Sequence, residues 1–163
     1  MAKRAKQTSV EQSPAAGVGV KKRAEQTSVE QSPEDVLKAF FAAMCKWERA
    51  AYKASRASER AGQGLPADEL LRQKLAILGE YCTPKRRVYA EAVCYSSPPE
   101  YDPRTEPITR VVAESETRVV VYTQQQTGFE HERRFVLLRR GGRWLVDNKQ
   151  WRGGGEKWER DIL

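Results

Sequence analysis

Few residues of this chain are suited to chemistry. The one histidine, His131, stands between Glu130 and Glu132 at the start of an extended stretch, a place for a solvated edge residue. Glu91 is the carboxylate that stands out. It lies inside the apolar run Val88–Tyr95, which reads as a strand, and alternation puts it on one face with Tyr89, Val93 and Tyr95. A general base facing a tyrosine-lined pocket would look like this; so would an exposed strand face, or a carboxylate paired with a nearby arginine. No second acid or base accompanies it, so Glu91 is a pocket candidate and no catalytic residue is assigned. Cys45, Cys82 and Cys94 show no CxxC spacing, and no Cys/His/Asp set has metal-ligand spacing, so no metal or cofactor is expected. The cysteines read as reduced, partly buried thiols of a cytoplasmic protein. Gly153-Gly154-Gly155 lacks the strand–helix setting and the lysine of a phosphate-binding loop.

Charge gives a second test. The chain carries +7, but residues 1–33 hold six basic and three acidic side chains, so +3 of this lies there and +4 on the remainder. In that remainder arginines alternate with glutamates, unlike the clustered stripe of a nucleic-acid surface. Trp47, Trp144, Trp151 and Trp158 among arginines could stack bases, yet Trp47 and Trp144 fit core positions. Specific nucleic-acid binding is therefore not expected. No apolar run reaches the roughly 18 residues of a membrane helix, and the basic start is not followed by the apolar stretch of a secretory signal.

The elements that must position these residues follow in order. Lys3–Pro14 recurs as Lys22–Pro33 with one substitution in twelve. Its polar composition cannot bury enough apolar surface to offset ordering entropy, so residues 1–31 read as a disordered tail containing a duplicated QTSVEQSP segment, and 32–163 as the domain. Ser32-Pro33-Glu34-Asp35 reads as an N-cap, a proline in the first turn and acids beside the helix N-terminus. Val36, Leu37, Phe40, Phe41, Met44, Trp47 and Ala51 then recur at three- and four-residue spacing, predicting a long helix that ends near Ala61-Gly62. A second helix opens at Pro66 or Asp68, presents Leu70, Leu71, Leu75, Ile77, Leu78 and Tyr81, and stops at Thr83-Pro84. Beyond it the period falls to 2. Strands are expected at Val88–Tyr95, Ile108–Ala113 and Thr117–Gln124, with the rigid Pro98–Pro103 connection between the first two. Phe135–Arg140 and Arg143–Asp147 flank Gly141-Gly142, a strong hairpin signal because both turn residues can take φ > 0. Both faces of its first arm are apolar at the centre, so cover is needed on both sides. After the triglycine, Trp158 can dock back on the body.

This order is α+β, with both helices on one face of a mostly antiparallel sheet. The expected core combines Phe40, Phe41, Met44 and Trp47 with Val111, Val119, Val121, Phe135, Leu137 and Trp144. A curved sheet wrapped around the first helix, a half-open cone, is the economical packing.

The cone, with its long first helix and closing strand pair, resembles the nuclear transport factor 2-like superfamily. Within it, five stretches resemble immunity proteins of bacterial polymorphic toxin systems. They are Lys46-Trp47-Glu48, Tyr81-Cys82-Thr83-Pro84-Lys85, Pro98-Pro99-Glu100-Tyr101-Asp102, Arg134-Phe135-Val136-Leu137 and Gly142–Asp147. The resemblance spans about residues 34 to 160. It implies a cytoplasmic protein without chemistry of its own, which binds and neutralises a cognate toxin domain encoded by a neighbouring gene. The same cone also hosts isomerases, dehydratases and cyclases, and a small-ligand or nucleic-acid binding module is a further alternative. No motif residue of the family marks the toxin contact. From composition, the concave sheet face and the Pro98–Pro103 connection, with Tyr95, Tyr101, Arg110, Arg133 and Arg134, are the expected partner-binding residues, since Tyr and Arg are enriched at interface centres.

Overall fold

The computed structural model describes residues 31–87, 90–128, 130–155 and 157–163. The first copy of the duplicated segment and the second as far as Glu30, and with them the tail expected over residues 1–31 save for Gln31, lie outside these residues, as do Val88 and Tyr89. Two helices precede five strands: α1 (Pro33–Ala61), α2 (Ala67–Tyr81), β1 (Ile108–Ser115), β2 (Arg118–Gln124), β3 (Glu132–Arg140), β4 (Arg143–Arg152) and β5 (Glu159–Arg160). The strands form one antiparallel sheet in the order β1-β2-β3-β4-β5, curved and unclosed. Among the described residues no helix is long and apolar enough to cross a membrane.

The helix ends follow from local chemistry. Ser32 Oγ accepts from the Asp35 N–H at 3.1 Å, which satisfies one of the orphan donors of the first turn. Gly62 closes α1 at φ 64°, where its N–H and that of Gln63 take up the free carbonyls of Glu59 and Ser58; a side chain there would be strained. In the β3–β4 turn Gly141 and Gly142 take φ of 55° and 78°, as the hairpin requires.

The core lies between α1 and the inner face of the sheet. Leu37, Phe40, Phe41, Met44, Trp47 and Ala51 of α1 pack with Val119, Val121, Phe135, Leu137 and Val146. Burying each large apolar side chain stabilises the fold by about 1.5–3 kcal/mol. Phe41 is the hinge pin of this packing, with its ring centroid 5.1 Å from that of Phe135 and 5.8 Å from that of Tyr101. Trp47 ties the helices together, its Nε1–H donating to the Leu70 carbonyl at 2.9 Å. Val120 and Val136 are buried on the other face of the sheet, so the hairpin is covered on both sides.

Two expectations fail. Residues 90–96 form a turn and an irregular segment, not a strand. The free edge of β4 is occupied instead by Cys82 and Thr83, which bridge Val146, and the Ala92 carbonyl is taken by the ammonium of Lys74. Val111 is 40% exposed near the edge of the sheet, not in the core.

Candidate functional site

The stretches that carry the resemblance meet in pairs. Glu48 of α1 is buried and accepts from the backbone N–H groups of Ser96 and Tyr101, at 3.4 and 3.3 Å. Next to it, Arg49 reaches Asp102 at 2.8 Å. The Pro98–Asp102 connection, with a cis bond at Ser97-Pro98, is thereby fastened to the first helix. At the other end Thr83 Oγ1 donates to Asp147 at 2.7 Å, Lys85 pairs with the same carboxylate, and Arg87 donates to the Val146 carbonyl. The exit of α2 is thereby clamped to the hairpin.

Between these two clamps the inner face of the sheet turns from apolar to ionic. Alternation places Thr123 and Arg133 on the same face as Val121 and Phe135. On β4 a bulge intervenes: Phe135 pairs with Lys149 and Val136 with Asn148, but Leu137 pairs with Val146. The extra residue, Asp147, reverses the inside–outside phase, so Lys149 points inward and is fully buried. Its Nζ lies 2.6 Å from Glu100, 3.0 Å from Asp161 and 3.3 Å from the Ile162 carbonyl. Arg133 reaches Glu106 at 2.7 Å and Glu100 at 3.1 Å, and Thr123 Oγ1 donates to Glu106 at 2.7 Å. Two cations and three carboxylates thus form one connected cluster under Tyr101.

The titration of this cluster reflects its burial. Burial pulls the Lys149 pKa down, but Tyr101, Glu100 and Asp161 around it outweigh that effect and raise it above that of an ordinary lysine. Burial pushes the Glu106 carboxyl up against the pull of Arg133 and Thr123. Burial also pushes up the Tyr101 phenol and, against the pull of its N–H donors, the Glu48 carboxyl. Asp102 goes the other way, held down chiefly by its hydrogen bond from Arg104.

A cavity of about 440 Å3 opens beside the cluster, lined among others by Met44, Glu48, Lys74, Tyr95, Glu100 and Tyr101. Glu48 is therefore a carboxylate of the cone interior, whereas Glu91 is exposed on a turn. Sequence reasoning passed over Glu48, although its position four residues after Met44 in the apolar stripe of α1 marks it as inward-facing. Lys149 gave no such signal, because only the bulge turns it inward.

The expected partner-binding residues divide. Tyr101 and Arg133 are buried, at 5% and 7% exposure, and act inside the fold. Tyr95 lines the cavity and is half-buried. Arg110 and Arg134 do not lie on the concave face: Arg110 pairs with Tyr122 and Tyr122 with Arg134, so all three share the outer face with Val120. Among the described residues no group of three His, Cys, Asp or Glu side chains is placed to hold a metal ion. The three cysteines are free, Cys45 and Cys82 buried and Cys94 exposed.

Searches of curated proteins and of solved structures each found no match. A family model described as NTF2 fold immunity protein matches residues 32–162. That span begins at the N-cap of α1 and takes in both clamps, the ionic cluster and β5. The chain belongs to the NTF2 fold immunity protein family.

Proposed function

We propose that this protein protects by binding: it forms a stoichiometric complex with a cognate toxin domain of a bacterial polymorphic toxin system, encoded by a neighbouring gene, and neutralises it in the cytoplasm without turning anything over. The observation that carries this reading is the family match over residues 32–162. The interior chemistry agrees with it. The oxygens of Glu48 are engaged by the N–H groups of Ser96 and Tyr101, and those of Glu106 by Thr123 and Arg133. Carboxylates spent on holding a loop and a sheet together are poorly placed to abstract a substrate proton. A standard-size interface of about 1,600 Å2 with buried aromatic and arginine anchors reaches nanomolar affinity or better, as neutralisation demands.

The test is co-expression with the neighbouring open reading frame, followed by a growth assay and a pull-down. The expected result is a neighbour that arrests growth alone, growth restored by this protein, and a complex of fixed stoichiometry. If the neighbour is harmless alone, or kills equally in its presence, the reading fails.

A further inference from the structure

The face of the sheet turned away from α1 carries an ordered array of arginines and aromatic rings. The Arg110 guanidinium lies 3.9 Å from the centre of the Tyr122 ring. Tyr122 meets Trp158 edge-to-face at 5.8 Å between centroids. Trp158, brought back over the sheet by the pairing of β5 with β4, takes Arg134 at 4.3 Å and Arg152 at 4.7 Å. Arg134 is held further by Gln150 Oε1 at 2.8 Å. Alternation adds Arg118 and Arg160 to this face, and Glu114 and Glu132 pair there with Arg118 and Arg152.

Five arginines facing two carboxylates leave a positive outer surface. Stacking on a ring holds a guanidinium plane in place, so little side-chain entropy remains to be lost on docking. Arg, Tyr and Trp are also the residue types in which interface binding energy concentrates. Arg110, Arg134 and Arg152 are anchored on rings and Arg118 beside a carboxylate, an arrangement that suits the fixed carboxylates of a folded partner more than a sliding phosphate chain.

We propose that this outer face, centred on Arg110, Tyr122, Arg134 and Trp158, is the docking surface for the toxin, and that the toxin meets it with a patch of Asp and Glu side chains. The inference rests on the immunity reading above and specifies the surface and the partner's charge. It moves the contact from the concave side of the sheet to its convex side.

The experiment uses the full chain and the toxin domain from the neighbouring gene, made as a catalytically inactive variant, with affinity measured by calorimetry at two salt concentrations. Arg110→Glu and Arg134→Ala are compared with Lys46→Glu and Lys53→Glu, which alter exposed charges on α1, across the core from this face. The expected result is a loss of about tenfold or more in affinity for each arginine variant, that of Arg110→Glu shrinking at the higher salt, with the lysine variants within about twofold of wild type. Because Arg110 is exposed, Arg110→Glu decides the matter even if Arg134→Ala disturbs the fold. Unchanged affinity in Arg110→Glu, or a larger loss in the lysine variants, overturns the surface while leaving the immunity reading intact. A wild-type protein that ignores the toxin overturns both. Salt-steep binding of duplex DNA that Arg110→Glu abolishes, with toxin affinity untouched, overturns the protein partner in favour of nucleic acid.

Discussion

Lys149 and Glu100 form an ion pair, 2.6 Å apart, between a fully buried strand lysine and a carboxylate of the Pro98–Asp102 connection. The pair joins two parts of the chain 49 positions apart, and Asp161 and Arg133 attach to the same pair from the C-terminal segment and from β3. A buried ion pair is weak evidence of net stabilisation, since two desolvated charges must be offset, but breaking one side of it leaves the other uncompensated.

Lys149→Met is therefore expected to destabilise the protein by roughly 3–5 kcal/mol, because Glu100 and Asp161 then share Arg133, which already serves Glu106, as their remaining nearby cation. Adding Glu100→Gln should return part of that loss. The check is a double-mutant cycle in urea; additive losses would show that the two side chains act independently.

The response to pH has two limbs of opposite sign. Asp102 has its pKa lowered by Arg104 and Arg49 from an ordinary 3.8, so its contribution is fully present above 3.8 and is lost as pH falls below it. Glu48 has its pKa raised by burial from 4.5, so stability is lost as pH rises above 4.5 through its folded value. Urea midpoints followed between about pH 2 and 7 should show a shallower acid limb in Asp102→Asn and a flatter basic limb in Glu48→Gln. Identical profiles in wild type and variants would refute the assignment.

The start of α1 offers a third check. Ser32→Ala removes the cap on Asp35 and should cost about 1 kcal/mol, read as a fall of a few degrees in Tm. Removing residues 1–30 keeps that cap. Because the duplicated segment has no apolar periodicity in its first copy, the shortened protein should melt within about 5 °C of the full chain.

Glu91→Gln should leave protection against the toxin unchanged, as expected of an exposed turn residue. A variant that folds normally yet no longer protects would return Glu91 to consideration, and a turnover assay would then separate chemistry from binding.

Both helices, the first three strands and the Arg143–Asp147 start of β4 were legible because each obeys a single period over its length. Phe135 and Leu137 opposite Val136 and Leu138 announce a hairpin covered on both faces, and Gly141-Gly142 fixes its turn. Val88–Tyr95 misled because alternation records which residues could share a face, not whether an edge is free to pair; Cys82 and Thr83 hold the edge of β4. Lys149 was illegible for a deeper reason. A one-residue bulge at Asp147 changes the phase halfway along β4, and no local composition marks it. Arg110 and Arg134 were picked out by type, but their side of the sheet follows only from pairing with Tyr122.

The bulge has a consequence for how this protein can change over generations. Anchor and surface are under separate control. Asp147 stands outside the ladder, so deleting it would keep Val146 opposite Leu137 and Lys149 opposite Phe135, but it would remove the carboxylate that holds Thr83 and Lys85. The arginines and rings of the outer face have no such tie. Each can be exchanged singly while Phe135, Leu137 and Lys149 stay where they are. A lineage could thus retarget the outer face against a succession of toxins, provided Asp147 kept its hold on Thr83 and Lys85.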